Sequence, residues 1–434
     1  MSAPERTPRS RLRSEQRYIK LSALLYVLLV TCTVMGDAVV LRRRFSSIDT
    51  LAKVFSMGII PVAVLKLLIF TDALSLRRYG YYLALMLAPL FGALLYSIGV
   101  WIYRLDDLSM MTRGYRKLLF QVINAFVALS AIILFKRKAI NYTFYGLILG
   151  NALMAIITLP SYGLGPAIQS VVSAVSGGDT VSKGFMAVME VNDLTFAIGY
   201  LVTFYLVFEK RSLLKYACVA VGLLFFIIGF KRIAIPAFFL SILFGWWLRR
   251  LPQKRAKKQV MYIGAVCVAA CFGYVYLLKS GLFVALLNRF GIEAMGRDTM
   301  LRVIEPVYEI SPFFMGYGFE TASLLLELRS DGELLALHNS ILTTYIEFGF
   351  LGFFCWYIYY CLFTPHALNK YCGVDSSIAY ITVFLFMFIT YATDNTFFYY
   401  WDSYVLRLVP FALCEVPPPS AKAAPVRMQR RLRG

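Results

Sequence analysis

Residues 337–352 read Leu-His-Asn-Ser-Ile-Leu-Thr-Thr-Tyr-Ile-Glu-Phe-Gly-Phe-Leu-Gly. A long polar stretch, 280–337, ends here and an apolar run begins. His338, one of two histidines in the chain, sits at the junction. Asn339 or Ser340 offers a side-chain oxygen to cap a helix start. On a helix from Asn339, Tyr345 and Gly349 fall close to the His338 face, at steps of seven and eleven, with Gly352 nearby. The result is a stripe with a titratable group at its water end and small residues below. Small residues on a membrane helix let another helix, or a ligand, approach the backbone closely.

The whole chain has the composition this run implies. Of its 434 residues, 59% are hydrophobic, and the mean hydropathy is +0.68. That identifies a polytopic, all-α membrane protein. A bilayer core takes about 20 apolar residues per helix. Such runs begin near Leu21, Leu51, Tyr81, Leu118, Ala139, Val191, Tyr216, Ile233, Gln259, Asn339, Ser376 and Phe397. The expectation is a bundle of about twelve transmembrane helices, with the large loop 280–337 between the ninth and tenth. The net charge of +20 does not point to nucleic acid, because the basic residues cluster between apolar runs and at the termini. The cysteines lie mostly within apolar runs, and no pair has the spacing of a metal site.

With the N-terminus inside, every inside connection is basic: Arg77-Arg78, Lys136-Arg137-Lys138, Lys210-Arg211 with Lys215, residues 249–258, and Lys370. This is the distribution of a topology signal. Residues 1–20 and 417–434 read as cytoplasmic basic tails, the first of them disordered, around one membrane domain, 21–416. The outside exceptions are Arg42-Arg43-Arg44, the loop from Arg104 to Lys117, and Lys231-Arg232. Lys66 is the main buried-charge candidate, and snorkelling is its simplest account.

Chemistry is expected at the outer connections. Residues 161–190 form a loop rich in glycine and serine, with Gly163, Gly165, Gly177 and Gly178. In the longer loop, residues 297–310 read as a helix ended by Ser311-Pro312, with Arg302 spaced to pair with Asp298 and Glu305. Gly316 and Gly318 suit a turn at the membrane surface. No P-loop, dinucleotide fingerprint or nucleophile elbow is present, so ATP-driven and hydride-transfer chemistry have no support. The outer face offers Arg232, Arg289, Arg297 and Arg302. Arginine's planar fork suits phosphate oxygens. Two or three such groups beside a lone histidine would make a diphosphate site with a proton acceptor. Asn192-Asp193 and Asp394-Asn395-Thr396 are further outer-face groups, with a helix cap and a simple turn as their plainer roles.

His338-Asn339, nine residues, then Gly349-Phe350-Leu351-Gly352 resembles the signature of the O-antigen ligase and polymerase superfamily. Gly296-Arg297 upstream, Gly316-x-Gly318 between, and Arg232 at the outer end of a preceding helix resemble the family's order of features. The resemblance covers roughly residues 190–400, and Lys231 departs from the serine often found before the first arginine. It implies an inner-membrane, multi-pass glycosyltransferase with a periplasmic site and with neither metal nor cofactor. The donor would be a glycan on undecaprenyl diphosphate. The acceptor would be the lipid A core for a ligase, or a second lipid-linked repeat unit for a polymerase. Arg232, Arg297 and His338 match the family's functional arginines and histidine, with Arg289 and Arg302 as alternatives for the second arginine. Direct displacement would invert the anomeric centre, and the Gly349/Gly352 stripe would leave room for the polyprenyl tail. The rival class is a flippase for the same lipid-linked glycan. It needs the same basic groups, but matched halves with broken helices are not visible.

Both termini are expected inside and residues 280–337 outside. In sealed vesicles, S330C should react with a membrane-impermeant thiol reagent from the outer face, and S420C only from the cytoplasmic face. Labelling of S330C from the cytoplasm alone would reverse the orientation.

Overall fold

The computed structural model describes residues 8–38, 41, 47–104, 108–175, 184–189, 192–229, 231–290, 297–334 and 336–415. Residues 1–7, Arg42 to Arg44, Gly177, Gly178, Gly296 and the tail 416–434 lie outside them. The described residues form helices and contain no strand. Among the described residues, eight helices are long and apolar enough to cross a membrane: Tyr18–Gly36, Ile48–Phe70, Ala73–Arg104, Met111–Phe135, Lys138–Ser161, Gln253–Lys279, Ser340–Tyr371 and Val374–Tyr391. Four shorter helices occupy the other apolar runs: Asn192–Phe208, Leu213–Ile228, Ala234–Arg250 and Tyr400–Cys414.

Several local expectations are corrected. Residues 8–20, expected to be disordered, are the first turns of the helix Pro8–Gly36; proline is well suited to a helix start. The loop 161–190 contains two helices, Leu164–Val175 and Gly184–Met189. The helix expected over 297–310 stops at Ile304, followed by the 3₁₀ turn Glu305–Val307. Pro306, which has no N–H to donate, ends it early.

The chain forms two compact units. The first comprises residues 1–83, 125–232 and 407–434. Its best-packed pair is Pro8–Gly36 against Lys138–Thr158. Gly146 and Gly150, one turn apart, make that approach possible. A Cβ on Gly146 would lie 2.6 Å from Val30 Cβ, and one on Gly150 2.6 Å from Val34 Cβ. This is small-residue packing of the kind membrane helices use. Tyr26 Oη and Thr143 Oγ1 share a hydrogen bond of 2.6 Å across the same interface. Lys66 is buried, but it does not simply snorkel. Its Nζ donates to Ile133 O and Leu134 O, each at 3.0 Å. An ammonium there meets the orphan carbonyls and negative dipole end of the helix Leu108–Phe135.

The second unit comprises residues 84–124 and 233–406. Ala234–Arg250 packs on Val374–Tyr391, and Gln253–Lys279 packs on both Val374–Tyr391 and Ser340–Ile358. Gly264 lets the π-turn Tyr359–Phe363 approach closely, since a Cβ there would meet Cys361 O at 2.0 Å. Phe272 fills the seam with Ser340–Ile358 through Phe350 and Phe353, at centroid distances of 5.2 and 5.0 Å.

The glycine seam of the first unit sets a stability prediction. Gly150→Leu should destabilise the protein by about 1–3 kcal/mol, the usual effect of overpacking. Thermal unfolding in detergent would check it. Gly80→Ala, at a helical position with nothing within 4 Å of the added Cβ, should not lower the midpoint.

Candidate functional site

His338 is the residue before the cap of the helix Ser340–Ile358, and its φ is +47°. That is a left-handed backbone uncommon for a residue with a Cβ. Its neighbours hold it there. Asn339 caps the helix, its Oδ1 accepting from Leu342 N at 2.9 Å. Its own N–H donates to Asn395 Oδ1 at 3.1 Å, and its Nδ2 donates to Tyr274 Oη at 3.0 Å. Tyr274 in turn donates to Ala392 O. Ser340 donates twice to Asp394 O, from N at 3.1 Å and from Oγ at 2.9 Å. The start of the helix is therefore stitched to the turn 392–397 on both sides.

The same turn places a carboxylate beside the imidazole. Asp394 Oδ1 lies 3.7 Å from His338 Nδ1. That oxygen also accepts from Asn395 N at 2.8 Å and from Tyr399 Oη at 2.7 Å. The aspartate side chain is 8% exposed and the histidine 44%, so the pair has a buried anchor and an open end. With Nδ1 facing Asp394, Nε2 is the nitrogen left for a reacting group. His338 lines a small cleft with Tyr274, Phe283, Met300, Leu301, Leu337, Asn339 and Ala392. Among the described residues, no three His, Cys, Asp or Glu side chains are placed to hold a metal ion.

The candidate arginines are placed variously. Arg302 pairs with Asp298 at 2.8 Å and is 77% exposed. The hydrogen bond from Arg302 holds the Asp298 carboxyl below the usual carboxylate range. Glu305, the other partner expected for Arg302, instead pairs with Lys279. Arg289 is exposed in the last turn of the helix Leu282–Arg289. Arg297 opens the helix Arg297–Ile304; its side chain, like those of Asn192 and Asp193, lies outside the described residues. Arg232 is exposed and belongs to the first unit, whereas His338 and the other three arginines belong to the second.

The glycine stripe has a different use from the one expected. At Gly349 the helix is broken, with φ +60° and ψ −168°, and residues 314–318 fill the break with backbone. Gly318 N donates to Glu347 O at 2.7 Å, Tyr317 N to Ile346 O at 3.1 Å, and Phe350 N to Phe314 O at 2.8 Å. A Cβ on Gly349 would lie 2.1 Å from Phe314 O, and one on Gly316 2.4 Å from Gly349 N. A Cβ on Gly318 would strike Trp101. Gly352 faces Phe348 and Tyr96. The stripe thus receives the chain's own backbone and side chains, not a polyprenyl tail. Tyr345 is buried, donates to Glu309 O at 2.9 Å, and stacks on Phe314 at 5.5 Å; it does not line the cleft of His338.

Three of the basic residues that break the charge pattern, Arg104, Arg113 and Lys117, hold this loop. Arg104 Nε donates to Gly316 O at 2.8 Å, and its guanidinium lies 4.0 Å from the Tyr317 ring centroid. Arg113 pairs with Glu327 at 2.9 Å, and Lys117 pairs with Glu320.

Sequence reasoning passed over Glu347. It is fully buried, and neither carboxyl oxygen has a hydrogen-bond partner among the described residues. The charged groups that face it are Glu320 and Lys117. The available signal was its being the one charged residue in the run 340–358.

Gly349→Ala forces a Cβ into a backbone carbonyl at positive φ. It should cost about 2 kcal/mol or more. Hydrogen exchange at the Tyr317 and Gly318 amides should rise well above wild type, and unchanged protection there would show that the break tolerates a side chain.

Residues 217–357 match the family model described as O-antigen ligase. The matched segment contains His338, Glu347, Gly349 and all four candidate arginines, and it ends before Asp394. A search of curated proteins finds no match. With His338 and the broken helix inside it, the matched segment is similar to the O-antigen ligase family, and the match supports a function of the O-antigen ligase type in polysaccharide biosynthesis.

Proposed function

We propose that the protein transfers a glycan from a polyprenyl diphosphate, of the undecaprenyl type, to a sugar hydroxyl on the periplasmic face of the inner membrane. The observation that carries this is the capped, half-exposed His338 with its Nδ1 towards the buried Asp394. His338 Nε2 takes the proton of the acceptor hydroxyl as its oxygen forms a bond to the anomeric carbon. The bond from that carbon to the diphosphate oxygen breaks, and the diphosphate leaves with the electron pair. Attack from the face opposite the leaving group inverts the centre. Asp394 fixes the ring's orientation and favours the imidazolium formed in the step. Negative charge grows on the leaving diphosphate, and guanidinium groups stabilise it. Arg232 and Arg297 are assigned that task, with Arg289 and Arg302 as alternatives for the second position. The proposed acceptor is the lipid A core or a second lipid-linked repeat unit.

Purified protein, undecaprenyl-diphosphate glycan and each acceptor in turn make the test. His338→Ala should lower transfer roughly 100-fold or more while donor binding persists. Asp394→Asn should lower kcat and leave KM nearly unchanged. Arg232→Ala and Arg297→Ala should each reduce transfer at least about tenfold, and the lysine variants should recover only part of it. Transport of the lipid-linked glycan with transfer to neither acceptor would replace this function with that of a flippase.

A further inference from the structure

The apolar helix Ala234–Arg250 runs into the spanning helix Gln253–Lys279 through the two-residue turn Leu251-Pro252. Residues 249–258, around that turn, include six cations. The chain has no Asp or Glu between Glu209 and Glu293. Among the described residues, Arg250, Lys254, Arg255, Lys257 and Lys258 form no ion pair.

A topology signal explains the charge of this connection, but not its position. Lys254 and Arg255 stand in the first turn of a helix, where the positive end of the dipole disfavours cations. Pro252, at the cap, supplies no side-chain acceptor, so the first N–H groups of the helix lack an internal partner as well. Ala256 is buried. Lys254, Arg255, Lys257 and Lys258 are exposed, and at 3.6 residues per turn all four fall on the half of the helix turned away from Ala256. Cations and amides that repel one another, and that meet no carboxylate, call for an anion from outside the chain.

The aromatic residues indicate which anion. Of the chain's five tryptophans, Trp101, Trp356 and Trp401 are buried, whereas Trp246 and Trp247 are 42% and 41% exposed. These two stand one turn before the cluster. Trp247 follows Phe239 and Leu243 at steps of four, and both are exposed, so one apolar face ends in an indole. On the next helix Lys258, Tyr262 and Val266 have the same spacing and are exposed too. Exposed tryptophans at the end of an apolar face belong to the membrane interface. Cations just beyond them are at the height of lipid phosphates.

We propose that the connection from Trp246 to Lys258 is a binding surface for anionic phospholipid, with its cations on the headgroup phosphates and its indoles just below them. Phosphate oxygens accept from guanidinium and ammonium groups and from the open amides of a helix start. A zwitterionic headgroup brings its own ammonium into the same place, so the surface selects lipids by net charge.

Photo-crosslinking of full-length protein in nanodiscs tests this. The bilayer is an equal mixture of phosphatidylcholine and phosphatidylglycerol with the same acyl chains. Benzoyl-phenylalanine is placed at position 247 or at position 239, and the adducts are identified by mass. At 247, phosphatidylglycerol should be enriched at least about fivefold, the preference one such cation contributes. At 239, further into the apolar face, the adducts should follow the bilayer's composition. K254Q/K257Q/K258Q should remove most of the enrichment at 247. With the cations intact, raising the salt concentration should also lower it, a test that does not depend on the variant's folding. Absence of lipid adducts at 247 would overturn the proposal and show the surface covered by protein. Equal headgroup ratios at 247 and 239, or an enrichment indifferent to salt, would overturn it as well.

Discussion

The break at Gly349 is the constraint on which the second unit depends. A membrane helix that breaks leaves carbonyls and amides without partners, and lipid offers none. Here the backbone of residues 314–318 supplies them. Gly316 and Gly349 must both lack a Cβ for the two chain segments to touch, and Gly318 must lack one where it lies against Trp101. The contact fixes more than itself. Phe314 is stacked on Tyr345, Tyr96 donates to Met315 O at 2.9 Å, and Ser97 accepts from Phe319 N at 3.0 Å. The helix Ala73–Arg104 thus holds the loop against the histidine helix from the other side. A long loop becomes a packed part of the membrane unit.

That packing also accounts for most of the charge pattern on the loop side. Exposed ion pairs such as Arg113–Glu327 contribute little, about 0–1 kcal/mol. Arg104 does more, because it combines a hydrogen bond to a backbone carbonyl with a ring contact. These basic residues were anomalies in the topology pattern. In the structure they bind the acidic residues and free carbonyls of the loop.

Element type was plain from the sequence, because runs of apolar residues of bilayer length admit little but helices. Boundaries failed where one residue competed with the pattern, as Pro306 did at the end of Arg297–Ile304. The glycines at 316, 318 and 349 were visible, but their partners were not. A glycine in sequence says that something comes close, and only the fold says that it is backbone at Gly316 and Gly349 and the Trp101 ring at Gly318. Asp394 was marked as a turn or a polar site, and it serves as both, since its carbonyl binds Ser340 while its carboxylate faces His338. Glu347 was overlooked because helical periodicity assigns such a position to the core without asking what the core does with a carboxyl group. Lys66 was noticed, but its partners, the carbonyls of Ile133 and Leu134, come from a helix distant in sequence.

The site shows two degrees of preorganisation, and the proposed chemistry gives each a use. His338 is fixed by a chain of backbone and side-chain bonds that closes on itself through Asn339, Tyr274, Ser340 and the turn 392–397. Holding a base within reach of a hydroxyl removes an entropic cost from the reaction step. Arg289, Arg297 and Arg302 sit instead on two helices of eight residues each. Helices that short are marginal alone and take their order from what they pack against. In the proposed reaction, a diphosphate bound by these arginines would add charge contacts to those helices. Binding energy from the donor's head would then be available to order the groups that stabilise its departure, which is where differential binding lowers a barrier. In the proposed reaction, a rigid base for the acceptor and cations ordered by the donor would let one cleft admit a bulky lipid-linked glycan and still place its leaving group.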